Sequence, residues 1–241
     1  MLYALSFVAF AAVWQLAAAL LHAPLVLPSF TDVARSLMQL CKTPAFYAAL
    51  GATSLRVAQS FCISLALGGA LGFFRARSAA FRRLLAFPLA FVRATPVVAL
   101  ILVSLFWFGS SAVPVFAAVI MALPVVISAV SAGFEQRAPA IDAMTRLYGF
   151  SRRARLRYVL FPRLKPFVMT AASASFGMAW KVVAAGEVLS LPRRALGTAL
   201  HSAQVHLETQ EVMALALVIV GMSFACERVV ASAVRLAAHC G

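Results

Sequence analysis

AVPVFAAVIMALPVVISAVSAG, residues 112–133, contains no charged side chain and no strict alternation of polar and apolar positions. A helix needs about 20 predominantly apolar residues to cross the hydrocarbon layer, and this segment supplies them. A lipid-facing barrel strand would alternate with period two. Outward from this stretch, five further segments are likewise long and predominantly apolar, with only a few isolated charges: about 2–21, 54–74, 84–108, 164–188 and 211–236. Helices keep their backbone hydrogen bonds internal, which lipid demands. The expected fold is therefore all-α, a polytopic membrane protein of about six transmembrane helices forming one domain over residues 1–241.

Composition agrees. Of the 241 residues, 63% are hydrophobic and 12% charged, and the mean hydropathy is +0.96. Soluble domains have about 45–50% apolar and about 25% charged residues. The formal net charge of +14 would suggest nucleic acid in a soluble protein, but here the basic residues cluster between apolar runs, so no nucleic-acid surface is expected. The first run lacks a basic leader, so it is read as a retained span rather than a signal peptide. The four cysteines have no close paired spacing, and His201 and His206 lack companion ligands, so neither a metal site nor a cofactor is expected.

The charges also choose an orientation. Loop 75–83 carries Arg75, Arg77, Arg82 and Arg83, and loop 134–163 carries Arg137, Arg146, Arg152, Arg153, Arg155, Arg157 and Arg163. The Gly109–Ser111 turn on the other side carries none; Arg193 and Arg194 oppose the pattern without outweighing it. The positive-inside rule places both termini in the cytoplasm. The outer connections are too short to hold a solute-binding domain. Ser29 and Asp32 predict a capped short helix over about 31–40, and Pro88 and Pro96 should bend or divide the third segment, with Pro124 a further candidate in the fourth.

Residues 134–165 do not read as an ordinary linker. Pro139 can start a helix through Ile141–Tyr148, Gly149 can end it with a sharp turn, and Ser151 can cap a second, arginine-rich helix that runs to Leu160. Pro162 then marks the return to the membrane. Two short helices joined at a glycine can dock in a partner's groove and pass on rigid-body motion; an amphipathic interfacial loop has the same pattern.

The arrangement of Ala143-Met144-Thr145, Gly149 and Val159-Leu160-Phe161-Pro162 resembles the cytoplasmic signature of permease subunits of bacterial ATP-binding-cassette importers, and nine residues separate Gly149 from Val159 as that signature requires. Arg93-Ala94-Thr95-Pro96 with Phe106-Trp107-Phe108-Gly109, and Ala179-Trp180-Lys181 through Glu187-Val188-Leu189, are similar to segments of the nitrate, sulfonate and taurine branch. The resemblance implies a permease homodimer, two cytoplasmic ATPase subunits, an extracytoplasmic solute-binding protein, and residence in the bacterial inner membrane. It implies ATPase coupling at Asp142, Ala143, Met144, Thr145, Gly149, Val159 and Pro162. One departure is plain: the usual signature Glu falls on Ala143, and Asp142 lies one position earlier, about 100° around a helix.

Candidate path residues are those whose polarity is expensive inside a membrane: Arg93, Thr95 and Pro96 in the third segment, and Lys181 and Glu187 in the fifth. Arg93 can guide an anion or hold phosphate headgroups, Lys181 can snorkel, and Glu187 can anchor structure or contact solute. The chain has no Gly-x-x-x-x-Gly-Lys-Ser/Thr loop, so ATP hydrolysis must belong to another subunit. The reading is a non-enzymatic permease for a small anionic solute such as nitrate, a sulfonate or taurine. The alternatives are an ATP-independent secondary transporter or a membrane-embedded enzyme, and the seven acids form no recognisable catalytic set. The orientation is testable: single cysteines at Ser78 and Ser110 should label from the cytoplasmic and the external face respectively, and the reverse pattern would invert the topology.

Overall fold

The computed structural model describes residues 2–136 and 139–239; Arg137, assigned above to the inner loop, and Cys240 lie outside the described residues. All regular elements among them are helical: α1 (Leu2–Leu21), α2 (Phe30–Leu40), α3 (Pro44–Arg77), α4 (Ala79–Ala94), α5 (Val97–Ser104), α6 (Val113–Glu135), α7 (Pro139–Leu147), α8 (Arg152–Arg155), a π-helical turn (Leu156–Leu160), α9 (Phe161–Ser190), α10 (Leu196–Val205) and α11 (Thr209–His239). The protein is an all-α polytopic membrane protein. Its long helices also explain the composition, because much of their apolar surface faces outward.

Four helical runs are long and apolar enough to cross a membrane: α3, α6, the run Arg152–Ser190, and α11 through Val229. The expected span 84–108 is not one helix. It is split between α4 and α5, whose axes bend by 100°. Pro96 offers no N–H and holds the preceding Thr95 extended, with ψ 126°. The helix runs on through Pro88, and α6 runs on through Pro124, so those two prolines do not divide their segments. α3 starts at Pro44, about ten residues before the sequence pattern suggested. In α1 the described apolar part, Ala9–Leu21, is shorter than a span. Trp14 Nε1 donates to the Pro28 carbonyl at 3.0 Å, and Gln15 Oε1 accepts from the Phe30 N–H at 3.0 Å, fastening α1 to the start of α2. Ser29 caps α2 as expected, accepting from the Asp32 N–H.

Contacts sort the connections onto two ends of the bundle. At one end Arg82 lies 3.6 Å from Glu135, the Phe73 and Phe134 rings meet at 5.2 Å, and Arg163 donates to the Gln136 carbonyl at 2.6 Å. At the other, Ser190 Oγ donates to the Ser110 carbonyl and Thr209 Oγ1 to that of Leu25. The two arginine-rich connections thus share one end, as the charge pattern requires.

α6 is the central helix, packed most extensively against α3 and α9. α3 faces inward with Ser60, Ser64, Gly68 and Gly72, a small residue at every fourth position, and all four are buried. The two serine hydroxyls satisfy themselves on their own helix, at the Val57 and Ser60 carbonyls. A Cβ on Gly68 would fall 2.7 Å from Val126 Cβ, and one on Gly72 would fall 2.8 Å from Val130 Cβ. On the opposite side, a Cβ on Gly186 would fall 2.8 Å from Pro114 Cα. A buried cluster including Val57, Ile101, Val113, Ala117, Trp180 and Val183 joins α3, α5, α6 and α9. Gly68→Ala should therefore cost about 1–3 kcal/mol, the usual penalty of overpacking, seen as a lower unfolding temperature in detergent. Gly69→Ala, where a Cβ would meet open space, should not lower it and, by the better helix propensity of alanine, should raise it slightly.

Candidate functional site

At the arginine-rich end, α7 and the run that begins at Arg152 form the helix–glycine–helix projection. Pro139 opens α7; Gly149 follows it with φ +61°, a conformation that suits a residue without Cβ. Ser151 Oγ accepts from the Ala154 N–H, capping the next helix. The second helix does not end at Leu160: α8 passes through the π turn straight into α9 across Pro162, a continuous run from Arg152 to Ser190. The π turn sits just before Pro162, where the helix must absorb a residue that neither donates nor tolerates the carbonyl four positions back.

Of the residues expected to couple to an ATPase, Ala143 and Met144 are exposed, Thr145 is buried, Val159 is half-buried and Pro162 is exposed; Asp142 belongs to α7 by its backbone, and its side chain lies outside the described residues. Ile141, Met144, Leu147 and Tyr148 are exposed together, Leu147 by 82% and Tyr148 by 70%. An apolar face of this kind on a short helix outside the spans is shaped to be covered.

The path candidates do not converge. Thr95 and Pro96 form the α4–α5 elbow, where Thr95 Oγ1 donates to the Phe91 carbonyl. Arg93 lies one turn before it and donates to the Pro124 carbonyl at 3.2 Å and to Ser128 Oγ. Pro124 is the midpoint of α6, so a guanidinium held by neutral partners stands near mid-depth. Lys181 is exposed on α9.

Glu187 is fully buried, and its carboxylate is taken up by the protein itself. Oε1 accepts from Arg56 Nη1 at 2.8 Å; Oε2 accepts from Thr53 Oγ1 at 2.9 Å and from the Gly197 N–H at 3.1 Å. Thr53 Oγ1 in turn accepts from the Leu196 N–H at 3.0 Å. Arg56 Nη1 also donates to the Arg194 carbonyl at 3.3 Å. The N-cap of α10 is Ala195, whose side chain cannot cap, so the helix's first free N–H groups are capped by residues of α9 and α3. Gly197 is required there, since a Cβ would lie 2.5 Å from Glu187 Cβ.

Sequence reasoning singled out Glu187 but missed its partners, Thr53 and Arg56, more than a hundred residues away. A usable signal existed: Arg56 is the lone charge between Lys42 and Arg75, and Glu187 is the lone acid of α9. Each isolated charge in a spanning helix asks for the other. Glu227 of α11 was also passed over. Its carboxylate lies against the bare backbone of Gly177, where a Cβ would fall 1.9 Å from Oε1. Lys181 stands one turn along the same face of α9, and the two form no ion pair.

The family model for binding-protein-dependent transport system inner membrane components matches residues 64–236. The chain belongs to that family. It is an ABC-importer permease subunit, and membership implies an ATPase and a solute-binding protein as partners. No curated protein matches it. Among solved structures, one described as an amino acid ABC transporter with histidines is similar to it, with a TM-score of 0.62 and 18% identity over 84% of this chain and 97% of the other. That likeness shows the fold.

The Glu187 cluster yields a stability prediction for the permease. Arg56→Ala leaves a buried carboxylate without its cation and should cost about 3–5 kcal/mol, read as a lower unfolding temperature in detergent. Adding Glu187→Ala to it should recover part of that loss; a double-variant loss equal to the sum of the two single-variant losses would mean that the pair is not coupled.

Proposed function

We propose that this permease docks a cytoplasmic ATPase through α7 and Gly149 and moves a small anionic solute inward by alternating access. The observation that carries the docking is the exposed apolar face of Ile141, Met144, Leu147 and Tyr148 at the basic end of the bundle. An apolar helix face pressed into a partner's groove gives affinity without needing the acid that Ala143 replaces. Motion of α7 then has a rigid continuation. The run from Arg152 to Ser190, roughly 58 Å long at 1.5 Å per residue, ends beside the Glu187–Arg56 clip. Closure of the ATPases would thus be felt at the outer connections that bind α3, α9 and α10 together.

Two copies of the chain enclose the path in this reading, at the inner membrane with both termini cytoplasmic. Lys181, exposed on a spanning helix, is better covered by a second copy than by lipid. The anionic character of the solute rests on Arg93, a guanidinium near mid-depth that no described carboxylate neutralises. Nitrate and alkanesulfonates fit this requirement.

A second reading of the solute has its own observation. Lys181 and Glu227, opposite charges over one face of α9 without pairing, suit a zwitterion such as taurine or an amino acid, the latter named for the similar solved structure. Uptake into vesicles containing permease, ATPase and binding protein separates them. ATP-dependent nitrate or sulfonate uptake that falls at least about tenfold in Arg93→Gln supports the anion; taurine or amino acid uptake lost in Glu227→Gln supports the zwitterion. ATP-independent flux would overturn both. For docking, Leu147→Asp with Tyr148→Asp should abolish co-purification with the ATPase while leaving the unfolding temperature unchanged; retained complex and transport would refute the role of α7.

A further inference from the structure

A cavity of about 720 Å³ opens at the arginine-rich end, between the last turns of α3 and α6 and the start of the α8–α9 run. Four arginines line it, Arg77, Arg152, Arg155 and Arg163, of which Arg155 already has a partner, and no acid is among the described lining residues. The acid closest in sequence, Glu135 at the end of α6, is engaged by Arg82 and by Ser131 Oγ. Arg163 is held by one edge only. Its Nη1 donates to the Gln136 carbonyl, while its Nε is buried and has no acceptor. The remaining wall is apolar and includes the paired rings of Phe73 and Phe134. The π turn Leu156–Leu160 forms one side; such turns interrupt a helix at a cost and gather at functional sites.

We propose that this cavity is a binding site for an anionic phospholipid of the inner leaflet, with the phosphate among the arginines and the glycerol and upper acyl carbons against the phenylalanines. The mixed lining favours a lipid: a soluble anion would leave the apolar wall bare, whereas a phospholipid uses both the arginines and the apolar wall. The volume falls within the range of small-ligand sites. Basic pockets between helix ends on the cytoplasmic side are suited to anionic headgroups, and each arginine near the surface is worth roughly fivefold in affinity. The ATPase-docking face of α7 is a separate surface, so lipid and ATPase need not compete. A bound headgroup would brace the junction where α8 enters α9, the start of the rigid run.

The test uses the full-length chain in detergent micelles, titrated with phosphatidylglycerol or phosphatidylcholine and read by native mass spectrometry. Phosphatidylglycerol should be retained at least about tenfold better than phosphatidylcholine. Arg152→Ala with Arg155→Ala should reduce its retention about 25-fold, and Arg152→Lys with Arg155→Lys should keep most of it. Leu156→Trp, which fills the cavity without removing charge, should also reduce occupancy. Equal retention of the two lipids by the unaltered chain would overturn the proposal. So would displacement of phosphatidylglycerol by millimolar inorganic phosphate, which assigns the arginines to a soluble anion. Unchanged lipid binding in the double alanine variant with loss of ATPase binding would overturn it too, and assign them to a protein partner.

Discussion

The close approach of α3 and α9 to α6 is the constraint on which the rest of the bundle depends. Lipid tails are as apolar as leucine, so burying leucine between helices brings little gain there; contact must come from backbones that fit. Gly68 and Gly72 bring α3 against Val126 and Val130, and Gly186 brings α9 against Pro114. Ser60 and Ser64 extend the same stripe without leaving a hydroxyl unpaired. Once the three helices are set at this spacing, the large side chains fall into place: Trp180 and Ile101 are buried at the junction, and Phe73 and Phe74 of α3 and Phe87 and Phe91 of α4 are left exposed.

The polar interior follows from that geometry. With α3 and α9 both against α6, Arg56 and Thr53 reach Glu187, and the carboxylate can serve as the cap that Ala195 cannot provide. One acid thereby secures three elements at the end away from the arginine-rich connections. The α8–π–α9 run is unbroken, so the projection around Gly149 and the Glu187 cluster lie toward opposite ends of one continuous helical run.

Much of this was legible in advance. The apolar runs announced helices, the arginines assigned two loops to one side, and Pro139, Gly149 and Ser151 marked the projection, because these signals are local in the chain. Pro96 marked the elbow for the same reason, since proline acts on its immediate neighbours. Pro88 and Pro124 do not divide their helices: a proline inside a membrane helix is tolerated where its surroundings satisfy the freed backbone groups, and neighbours are not visible in a linear pattern. Pro162 likewise leaves its helix unbroken, since the π turn that admits it is a property of the continuous helix.

By itself, then, the amino-acid sequence determined that the chain is a bundle of membrane helices, which end is basic, and where a helix–glycine–helix projection interrupts the lipid-facing runs. Tertiary structure alone decided the partners. Glu187 meets Arg56 across more than a hundred residues, Gly177 accepts Glu227, and four arginines from α3 and the α8–α9 run gather around one cavity. The physical reason is range. Hydropathy, capping and proline act within a turn or two of helix, whereas a buried charge is satisfied by whichever helix packing brings within 3 Å.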